Sequence, residues 1–209
     1  MAKSEYVIKP CTKQQARLVL DRYHYLSDIS EDFKSGYNYG LFREGSSGLF
    51  TDYEICGVVI FTGFPVPELL KGIFDLHRRD QDGFFELSRL CLSPEVQESE
   101  HNLASWFVAR SIRSLRRDTP VRAILSYADA DFHNGTIYFA CNFKYYGLST
   151  PKKDFFIKNL DGSFSKHSRG KIKGIDGEWR ERSRKHRFLL TFDKTLNVKW
   201  VEQDRKVRA

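Results

Sequence analysis

Apolar and polar residues recur along this chain with two different spacings, one typical of α-helices and the other of β-strands. Thr12 and Gln15 have the form of a capping box, and apolar side chains then follow at helical spacing, so a first helix is predicted over residues 13–24. Segments rich in β-branched and aromatic residues predict strands instead. These segments are residues 37–43, 53–63, 84–92, 121–128, 143–148 and 187–192.

The first two predicted strands are joined by a Gly-Ser-Ser-Gly turn, which indicates an antiparallel hairpin in the centre of a sheet. Residues 94–100 are predicted as a loop, and Asn102 as the N-cap of a helix whose apolar stripe ends at Leu115. A short helix is predicted at residues 134–141. One helix, antiparallel strands and then alternating strands and helices together predict an α/β fold.

The composition fits one compact domain. A chain of 209 residues with 41% hydrophobic side chains can bury a sizeable core. The longest apolar stretch, residues 55–64, is too short to span a bilayer, and no signal-peptide pattern opens the chain. We therefore expect a cytoplasmic protein with no membrane partner, and leave its oligomeric state open, a dimer included. The four cysteines form no CxxC pair, which argues against a thiolate zinc site and a disulfide framework.

Charge is divided unevenly along the chain. Residues 150–209 contain 17 basic and 8 acidic side chains, a net charge of +9, whereas residues 1–149 have a net charge of −2. A basic excess confined to one segment indicates a polyanion-binding surface, because each cation that neutralises a phosphate releases counterions. The alternative is a solvated surface without a partner. The residues predicted to contact nucleic acid are Lys166, Arg169, Lys171, Arg180, Arg182, Arg184, Lys185 and Arg187.

Charged and polar side chains interrupt the predicted strand at residues 84–92. Alternation along the strand places Glu86 and Ser88 on one face and Arg89 on the other. Charges in a central strand are costly unless they are paired or line a cleft, so they indicate either a site or satisfied structural partners. The helix that follows offers unpaired backbone N–H groups, which favour a phosphate. The residues expected to contact a nucleotide-like cofactor are Leu90, Leu92, Asn102 and Ser105.

A second polar cluster follows the strand at residues 121–128. Asp129, Asp131 and His133 come where the carboxyl ends of strands gather ligands in α/β proteins. They could act as a base with an orienting group, or serve only as turn and cap residues. A third interpretation is a metal site. Its candidate ligands are His24, Tyr25, Asp129 and His133.

Residues 135–147 and the order of the elements resemble the closing helix and strand of the GNAT acyltransferase superfamily. The resemblance, which spans about residues 5–150, implies a mixed, mostly antiparallel central sheet flanked by helices. It also implies a catalytic core over residues 1–150. A basic extension over residues 151–209 would complete the sheet and contact nucleic acid.

The loop before Asn102 departs from this superfamily. It carries Glu98 and Glu100 where GNAT proteins have a Gly-containing loop for pyrophosphate, and two acids there would repel that group. The use of acetyl-coenzyme A is therefore an open question at the level of sequence.

Five short segments also resemble the Mom proteins of Mu-like phages. They are HYLS at 24–27, ELSRL at 86–90, ASWF at 104–107, YAD at 127–129, and His133-x-Gly135-x-Ile137-Tyr138. Mom proteins convert the N6 amine of adenine in DNA to a carbamoylmethylated form that blocks host restriction. By this resemblance Tyr25, Arg89, Asp129 and Tyr138 would lie at the active centre, with Ser105 as a further candidate.

The resemblance implies double-stranded DNA as the partner, with the target adenine flipped into the cleft. Asp129 would orient the N6 amine or accept its proton, Tyr138 would protonate a leaving group or orient the donor, and Arg89 would hold an anionic part of the donor or stabilise negative charge. An acyl-coenzyme A donor and iron both stay open. The chief alternative function is a GNAT-type N-acyltransferase that acts on tRNA or on a protein amine, and a third is a non-enzymatic DNA-binding protein.

Overall fold

The computed structural model describes residues 5–24, 33–45, 53–99, 101–167 and 170–204. Ten strands and five helices lie within these residues. The strands are β1 (Tyr6–Pro10), β2 (Tyr37–Glu44), β3 (Tyr53–Gly63), β4 (Phe84–Leu92), β5 (Ala123–Asp129), β6 (Lys144–Leu148), β7 (Lys152–Lys158), β8 (Phe164–Lys166), β9 (Gly177–Arg182) and β10 (Lys185–Thr191). The helices are α1 (Lys13–Tyr23), α2 (Glu68–Phe74), α3 (Pro94–Ser99), α4 (Leu103–Asp118) and α5 (Thr136–Ala140).

Seven strands form the main sheet in the order β1-β2-β3-β4-β5-β10-β6. Neighbouring strands are antiparallel except β4 and β5, which are parallel. The predicted mixed, mostly antiparallel sheet with flanking helices is therefore confirmed. The predicted place of the β2–β3 hairpin is wrong, because β4 is the central strand and the hairpin lies between it and the edge strand β1.

Helices cover both faces of the main sheet. On one face α4 buries Phe107 and Leu115 in a core that also contains Phe61 and Ile124 from the sheet. On the other face α1 packs its buried residues against Val58, Ile60 and Cys91. Farther along that second face, α2 packs against Phe84, Leu125 and Leu189. None of the helices in the described residues is long and apolar enough to cross a membrane.

The C-terminal segment divides between two sheets. β10 enters the main sheet between β5 and β6, whereas β7, β8 and β9 form a separate three-stranded antiparallel sheet, which we call the small sheet. Aromatic rings hold the small sheet together: Phe155 packs edge-on against Trp179 with their centroids 5.4 Å apart, and the Arg180 guanidinium lies 4.7 Å from the Phe156 ring.

The helix that was predicted first is confirmed with its cap. Thr12 Oγ1 accepts a hydrogen bond from the Gln15 amide at 3.1 Å, and the Gln15 side chain accepts one from the Thr12 amide at 3.0 Å. The loop predicted at residues 94–100 is wrong, since most of it is α3. Pro94 begins this helix, where its fixed φ angle is favourable, and Val96 is buried in the core.

The predicted side-chain cap at Asn102 is also wrong. Asn102 precedes α4 in a left-handed conformation with a φ angle of 61°, and its side chain makes no capping hydrogen bond. Its carbonyl oxygen instead accepts from the Trp106 amide and from Ser105 Oγ, both at 3.0 Å. The chain therefore turns into α4 through a backbone conformation that Asn tolerates well.

Candidate active site

β4 and β5 separate at their carboxyl ends. Their parallel pairing covers Phe84–Leu87 and Ala123–Ser126 and goes no farther along either strand. At its last step the buried Ser126 Oγ donates to the Leu87 carbonyl oxygen at 3.0 Å. Residues 88–92 of β4 and 127–129 of β5 therefore border an opening in the middle of the sheet, which we call the β4–β5 gap. In α/β sheets, ligands bind at such carboxyl ends.

A β-bulge changes which side chains of β4 share a face. Arg89 lies opposite Ile60 of β3 and Leu87 lies opposite Phe61, so Ser88 is the extra residue. Its hydroxyl donates to the Ile60 carbonyl oxygen at 3.2 Å. Glu86 lies opposite Thr62, two residues from Ile60, so Glu86 and Arg89 are on the same face. The prediction that placed them on opposite faces is wrong, because simple alternation does not survive the bulge.

Glu86 titrates near neutral pH. Burial raises the pKa of its carboxyl group to about 7, although the positive charges of Arg89 and Lys34 act in the opposite direction. Burial, followed by the charge of Glu86, also raises the pKa of Tyr127 to about 12. Arg89 and Tyr127 are thus each within electrostatic range of Glu86, on the face covered by α1 and α2.

His24 joins this cluster from the end of α1. Burial, the charge of Arg89 and the charge of His133 lower its pKa to about 4, so His24 is neutral at physiological pH. His24 is thus within electrostatic range of two candidates from distant parts of the sequence, Arg89 and His133. Tyr25 lies outside the described residues.

Asp129 is engaged at the end of β5. Lys185 Nζ and Ser183 Oγ donate to its carboxylate, and the Asp131 amide donates to Oδ1 at 3.1 Å. Burial opposes ionisation of Asp129, but the hydrogen bonds from Lys185 and Ser183 outweigh it and leave the pKa lowered. Such a carboxylate suits an anchoring role better than that of a general base. In the described part of the chain, no three His, Cys, Asp or Glu side chains are grouped as metal ligands.

Tyr138 and Ser105 lie on the α4 side of the sheet. Tyr138 is buried, with its ring centroid 4.9 Å from that of Phe188 and 5.5 Å from that of Phe143. Ser105 is in the first turn of α4, and its carbonyl oxygen accepts from Cys141 Sγ at 3.3 Å, which ties α4 to α5. The side chains of Leu90 and Leu92 pack into the same core, so a ligand in the gap would meet their backbone.

The predicted nucleic-acid contacts on β10 have partners in the main sheet. Lys185 is bound to Asp129, and Arg184 Nε donates to the Ser149 carbonyl oxygen at 2.7 Å. Arg187 Nη2 donates to the Tyr146 carbonyl oxygen at 2.5 Å, and its guanidinium lies 4.5 Å from the Trp200 ring. Arg187 thus stabilises the fold, whereas Arg184 is exposed beside the β5–α5 turn.

The predicted contacts on the small sheet are exposed but take part in ion pairs. Lys166 Nζ lies 2.6 Å from Asp154 Oδ2, Arg182 Nε lies 4.0 Å from the same oxygen, and Arg180 is paired with Glu178. Solvated pairs of this kind are weak and exchange readily with a phosphate. Lys171 is exposed, and Arg169 lies outside the described residues.

A separate surface cavity of about 820 Å³ opens at the amino-terminal ends of β4 and β5. Arg122 on its wall donates to Asp193 Oδ2 at 2.9 Å and lies 4.7 Å from the Phe84 ring, so its charge is already compensated. Arg89, Tyr127 and Asp129 lie toward the opposite ends of these strands, and Glu86, which directly follows the wall residue Phe85, is on the same face of the sheet as Arg89. The β4–β5 gap is therefore the candidate active site.

The sequence alone identifies most residues of this site, but it does not single out Glu86 as the acid–base group. Arg89, His24, His133 and Asp129 were all candidates, whereas Glu86 was expected only to line a cleft and Tyr127 had no role. The signal for Glu86 is its position, since a carboxyl group in a central strand is desolvated on folding.

Comparisons with known proteins agree with this geometry. Residues 5–206 match the model of the Mom protein family. The fold is similar to NAA60 of Arabidopsis thaliana in complex with acetyl-CoA, with 11% identity, a TM-score of 0.51, and coverage of 90% of this chain and 99% of that one. It is also similar to the ribosomal-protein-S18-alanine N-acetyltransferase of Escherichia coli, with 12% identity, a TM-score of 0.50, and coverage of 89% and 93%.

An acetyltransferase of the GNAT family from Streptococcus pneumoniae has 12% identity, a TM-score of 0.50, and coverage of 90% of this chain and 99% of that chain. At these identities the likeness shows the fold alone, and the predicted GNAT-like fold is confirmed. No curated protein matches the chain.

Proposed function

Because this chain belongs to the Mom protein family, we propose that it is a transferase that adds a small acyl-derived group, of the carbamoylmethyl or acetamido type, to the N6 amine of adenine in DNA. Such a modification would protect phage DNA from host restriction. The observation that carries the proposal is a polar cluster where β4 and β5 separate within a GNAT fold: Arg89 and Tyr127 border the gap, Glu86 lies on the same face just before it, and His24 is within electrostatic range of Arg89.

Glu86 is the proposed general base. The N6 amine of adenine is a weak nucleophile because its lone pair is delocalised into the ring, so a proton must leave as the amine attacks. A carboxylate with a pKa of about 7 binds that proton well and is about half ionised at neutral pH. Asp129 suits this task less well because Lys185 and Ser183 already donate to it, so we assign it to positioning the end of β5.

Arg89 is proposed to stabilise negative charge on the donor. Its charge acts on both Glu86 and His24, so the guanidinium is within electrostatic range of the proposed base and of the end of α1, and its Nη1 donates to the Ser88 carbonyl oxygen at 2.8 Å. A fixed cation in a site that excludes water lowers the energy of a transition state in which negative charge develops. His24, which is neutral, adds a hydrogen-bonding imidazole there without a competing charge.

An acyl-coenzyme A is the proposed donor class, since the similar NAA60 structure contains acetyl-CoA. Residues 88–92 of β4 present backbone groups that β5 does not pair, which suits an extended amide-containing chain. The first turn of α4, from Leu103 to Ser105, has N–H groups that favour a phosphate, against which the charge of Glu98 in the preceding α3 acts. When bound, the thioester would supply an activated acyl carbon, and transfer from this donor would give the acetamido-type amide on N6; a carbamoylmethyl group, in which N6 is bonded to a methylene carbon, would require a donor with an activated methylene instead. Tyr138 would donate its phenolic proton to the leaving group.

Double-stranded DNA is the proposed partner. An exocyclic amine inside a duplex is out of reach of a protein cleft, so the adenine must rotate out of the stack. The exposed cations of the small sheet, with Lys171 and Arg184, would hold the phosphates. This contact carries no sequence information, so the choice of adenine would depend on the gap itself.

Nucleoside mass spectrometry tests the proposal. The nucleosides of plasmid DNA and tRNA, and the peptides of total protein, are compared by mass. The cells express the intact chain, the Arg89→Ala variant or, as a control, the Arg79→Ala variant, since the Arg79 side chain is 81% exposed. The proposal predicts a new deoxyadenosine species with the intact chain and with Arg79→Ala, and none with Arg89→Ala. Unmodified DNA together with an acyl group on tRNA or on a protein amine would favour the alternative acyltransferase.

A further inference from the structure

Phe132 holds a large apolar ring in solvent beside the active site. It is 62% exposed, whereas Phe61, Phe84 and Phe188 are at most 1% exposed. Single exposed apolar side chains are common on protein surfaces, so the exposure of Phe132 indicates a role only together with its position and its neighbours. We propose that Phe132 is a wedge that enters the DNA base stack when the target adenine leaves it. This inference rests on the proposed function and adds to it the residue that makes flipping feasible.

The location of Phe132 fits this role. β5 ends at Asp129, and Phe132 follows three residues later on the turn that leads to α5. Its ring centroid lies 6.5 Å from that of His133, whose charge acts on His24 next to Arg89. The wedge is therefore at the mouth of the gap, next to the place that the flipped adenine would enter.

The turn that carries Phe132 is held by hydrogen bonds. The amides of Phe132 and His133 donate to the Asp129 carbonyl oxygen at 3.1 and 2.7 Å, and the Asp131 amide donates to Asp129 Oδ1 at 3.1 Å. The Ala130 amide donates to the Arg184 carbonyl oxygen at 2.9 Å, which fastens the turn to the chain before β10. A wedge must resist displacement by the bases it separates, and a turn fixed at four points supplies that stiffness.

Cations flank the same turn. Lys185 binds the Asp129 carboxylate, and Arg184 is exposed with its Nε held by the Ser149 carbonyl oxygen at 2.7 Å. Lys185 is compensated by Asp129, so a phosphate next to the flipped nucleotide would meet the charge of Arg184 while the ring meets the bases. The combination of a stiff apolar ring and neighbouring cations is the one that proteins use to unstack a duplex.

Trp179 is the other exposed aromatic candidate, and its position argues against this role. It is 55% exposed on β9, where its ring packs edge-on against Phe155 in the small sheet. The small sheet is a separate sheet from the one that contains the gap. Trp179 suits contact with a neighbouring part of the DNA, and Phe132 suits the site of flipping.

A duplex that contains 2-aminopurine in place of adenine tests the wedge, because the fluorescence of this base rises when it leaves the stack. The full chain is titrated with such duplexes, one for each nearest-neighbour context, and with the matching single strands. The intact chain should raise the fluorescence in at least one duplex. Phe132→Ala should weaken binding to that duplex about tenfold or more and abolish the rise, while its affinity for the single strand stays within about twofold.

Two further variants separate a wedge from general damage. Phe132→Trp keeps a stacking ring and should restore the fluorescence rise. Leu18→Ala removes an apolar side chain with the same exposed fraction, 62%, from the outer surface of α1 and should behave as the intact chain.

The outcomes distinguish the wedge from the proposed function. A rise with Phe132→Ala equal to that of the intact chain would overturn the wedge and leave the proposed function standing. An equal loss of affinity for the duplex and for the single strand would also overturn the wedge, since Phe132 would then contribute to DNA binding in general. No rise with the intact chain in any context would overturn base flipping and the wedge together.

Discussion

Glu86 and Arg89 lie on the same face of β4, opposite Thr62 and Ile60 of β3, because Ser88 is the extra residue of a β-bulge. The bulge places a carboxyl group and a guanidinium side by side in the central strand. Burial raises the pKa of Glu86 more than Arg89 lowers it, and the net value is about 7. The bulge thus brings to Glu86 a positive charge that opposes the effect of burial on its pKa.

The first prediction concerns stability. The folded-state pKa of Glu86 lies above its unfolded value of 4.5, so its contribution to stability is present below pH 4.5 and is lost as pH rises through about 7. Glu86 should therefore contribute a fall of up to about 3 kcal/mol in the free energy of unfolding between pH 5 and pH 8. His24, whose pKa is lowered to about 4, contributes a rise over the lower part of this range, so the effect of Glu86 is the difference between the intact chain and a Glu86 variant. Glu86→Gln should remove that fall.

Urea unfolding at pH 5 and pH 8 measures this difference. Glu54→Gln serves as the control because its side chain is 62% exposed, and it should keep the wild-type difference. An unchanged pH dependence in Glu86→Gln would show that Glu86 is solvated in the folded protein.

A second prediction follows from the charge of Arg89. Arg89→Met keeps a long unbranched side chain but removes the positive charge that lowers the pKa of both Glu86 and His24. The pKa of Glu86 should rise above about 7, and that of His24 should rise from about 4 toward 6.5. Carbon-13 titration of labelled Glu and His side chains by NMR measures both. If neither value moves, the three groups are not neighbours in solution.

The Asp129–Lys185 pair gives a third prediction. Asp129→Asn leaves Lys185 without its carboxylate, and Lys185→Met leaves a buried Asp129 carboxylate uncompensated, so each should cost about 1–4 kcal/mol of stability. The double variant should cost less than the two together, with a coupling of about 1–3 kcal/mol. Denaturant unfolding of the intact chain, the two single variants and the double variant measures this coupling. If the two single costs add up to the cost of the double variant, the pair does not form.

The fourth prediction distinguishes the packing of the Tyr138 ring from the chemistry of its hydroxyl group. Tyr138→Phe keeps the ring between Phe143 and Phe188, so stability should change by no more than about 1 kcal/mol, whereas Tyr138→Ala should lose about 3–5 kcal/mol. The Phe variant should nevertheless give much less modified deoxyadenosine in cells. Full modification of DNA by the Tyr138→Phe variant would show that the phenol takes no part in the reaction.

Local signals in the sequence are enough to predict the helices and strands that bury an apolar face. α1 begins at its capping box, and β4 has the bounds that its pattern predicted. β7 and β9 were missed because cations and carboxylates occupy most of their exposed positions, so no apolar alternation marks them. Their stability comes from aromatic pairs such as Phe155 and Trp179, which meet only after folding.

The site was harder to predict than the fold because its chemistry depends on pairing between distant segments. Ser88 is a bulge only in relation to Ile60 of β3, and nothing within β4 itself reveals that the alternation shifts. The bond between Asp129 and Lys185, which follows 56 residues later, has no signal in the sequence around either residue. Glu86 acquires its raised pKa from burial that the whole fold produces.

The central claim is that the polar cluster at the β4–β5 gap modifies adenine, with Glu86 as the base. The most direct test is the amount of modified deoxyadenosine in plasmid DNA from cells with equal levels of the intact chain, Glu86→Gln or the control Glu54→Gln. We predict a new deoxyadenosine species with the intact chain and with Glu54→Gln, and none with Glu86→Gln although that variant is folded. The same species at the same level with Glu86→Gln would contradict the claim.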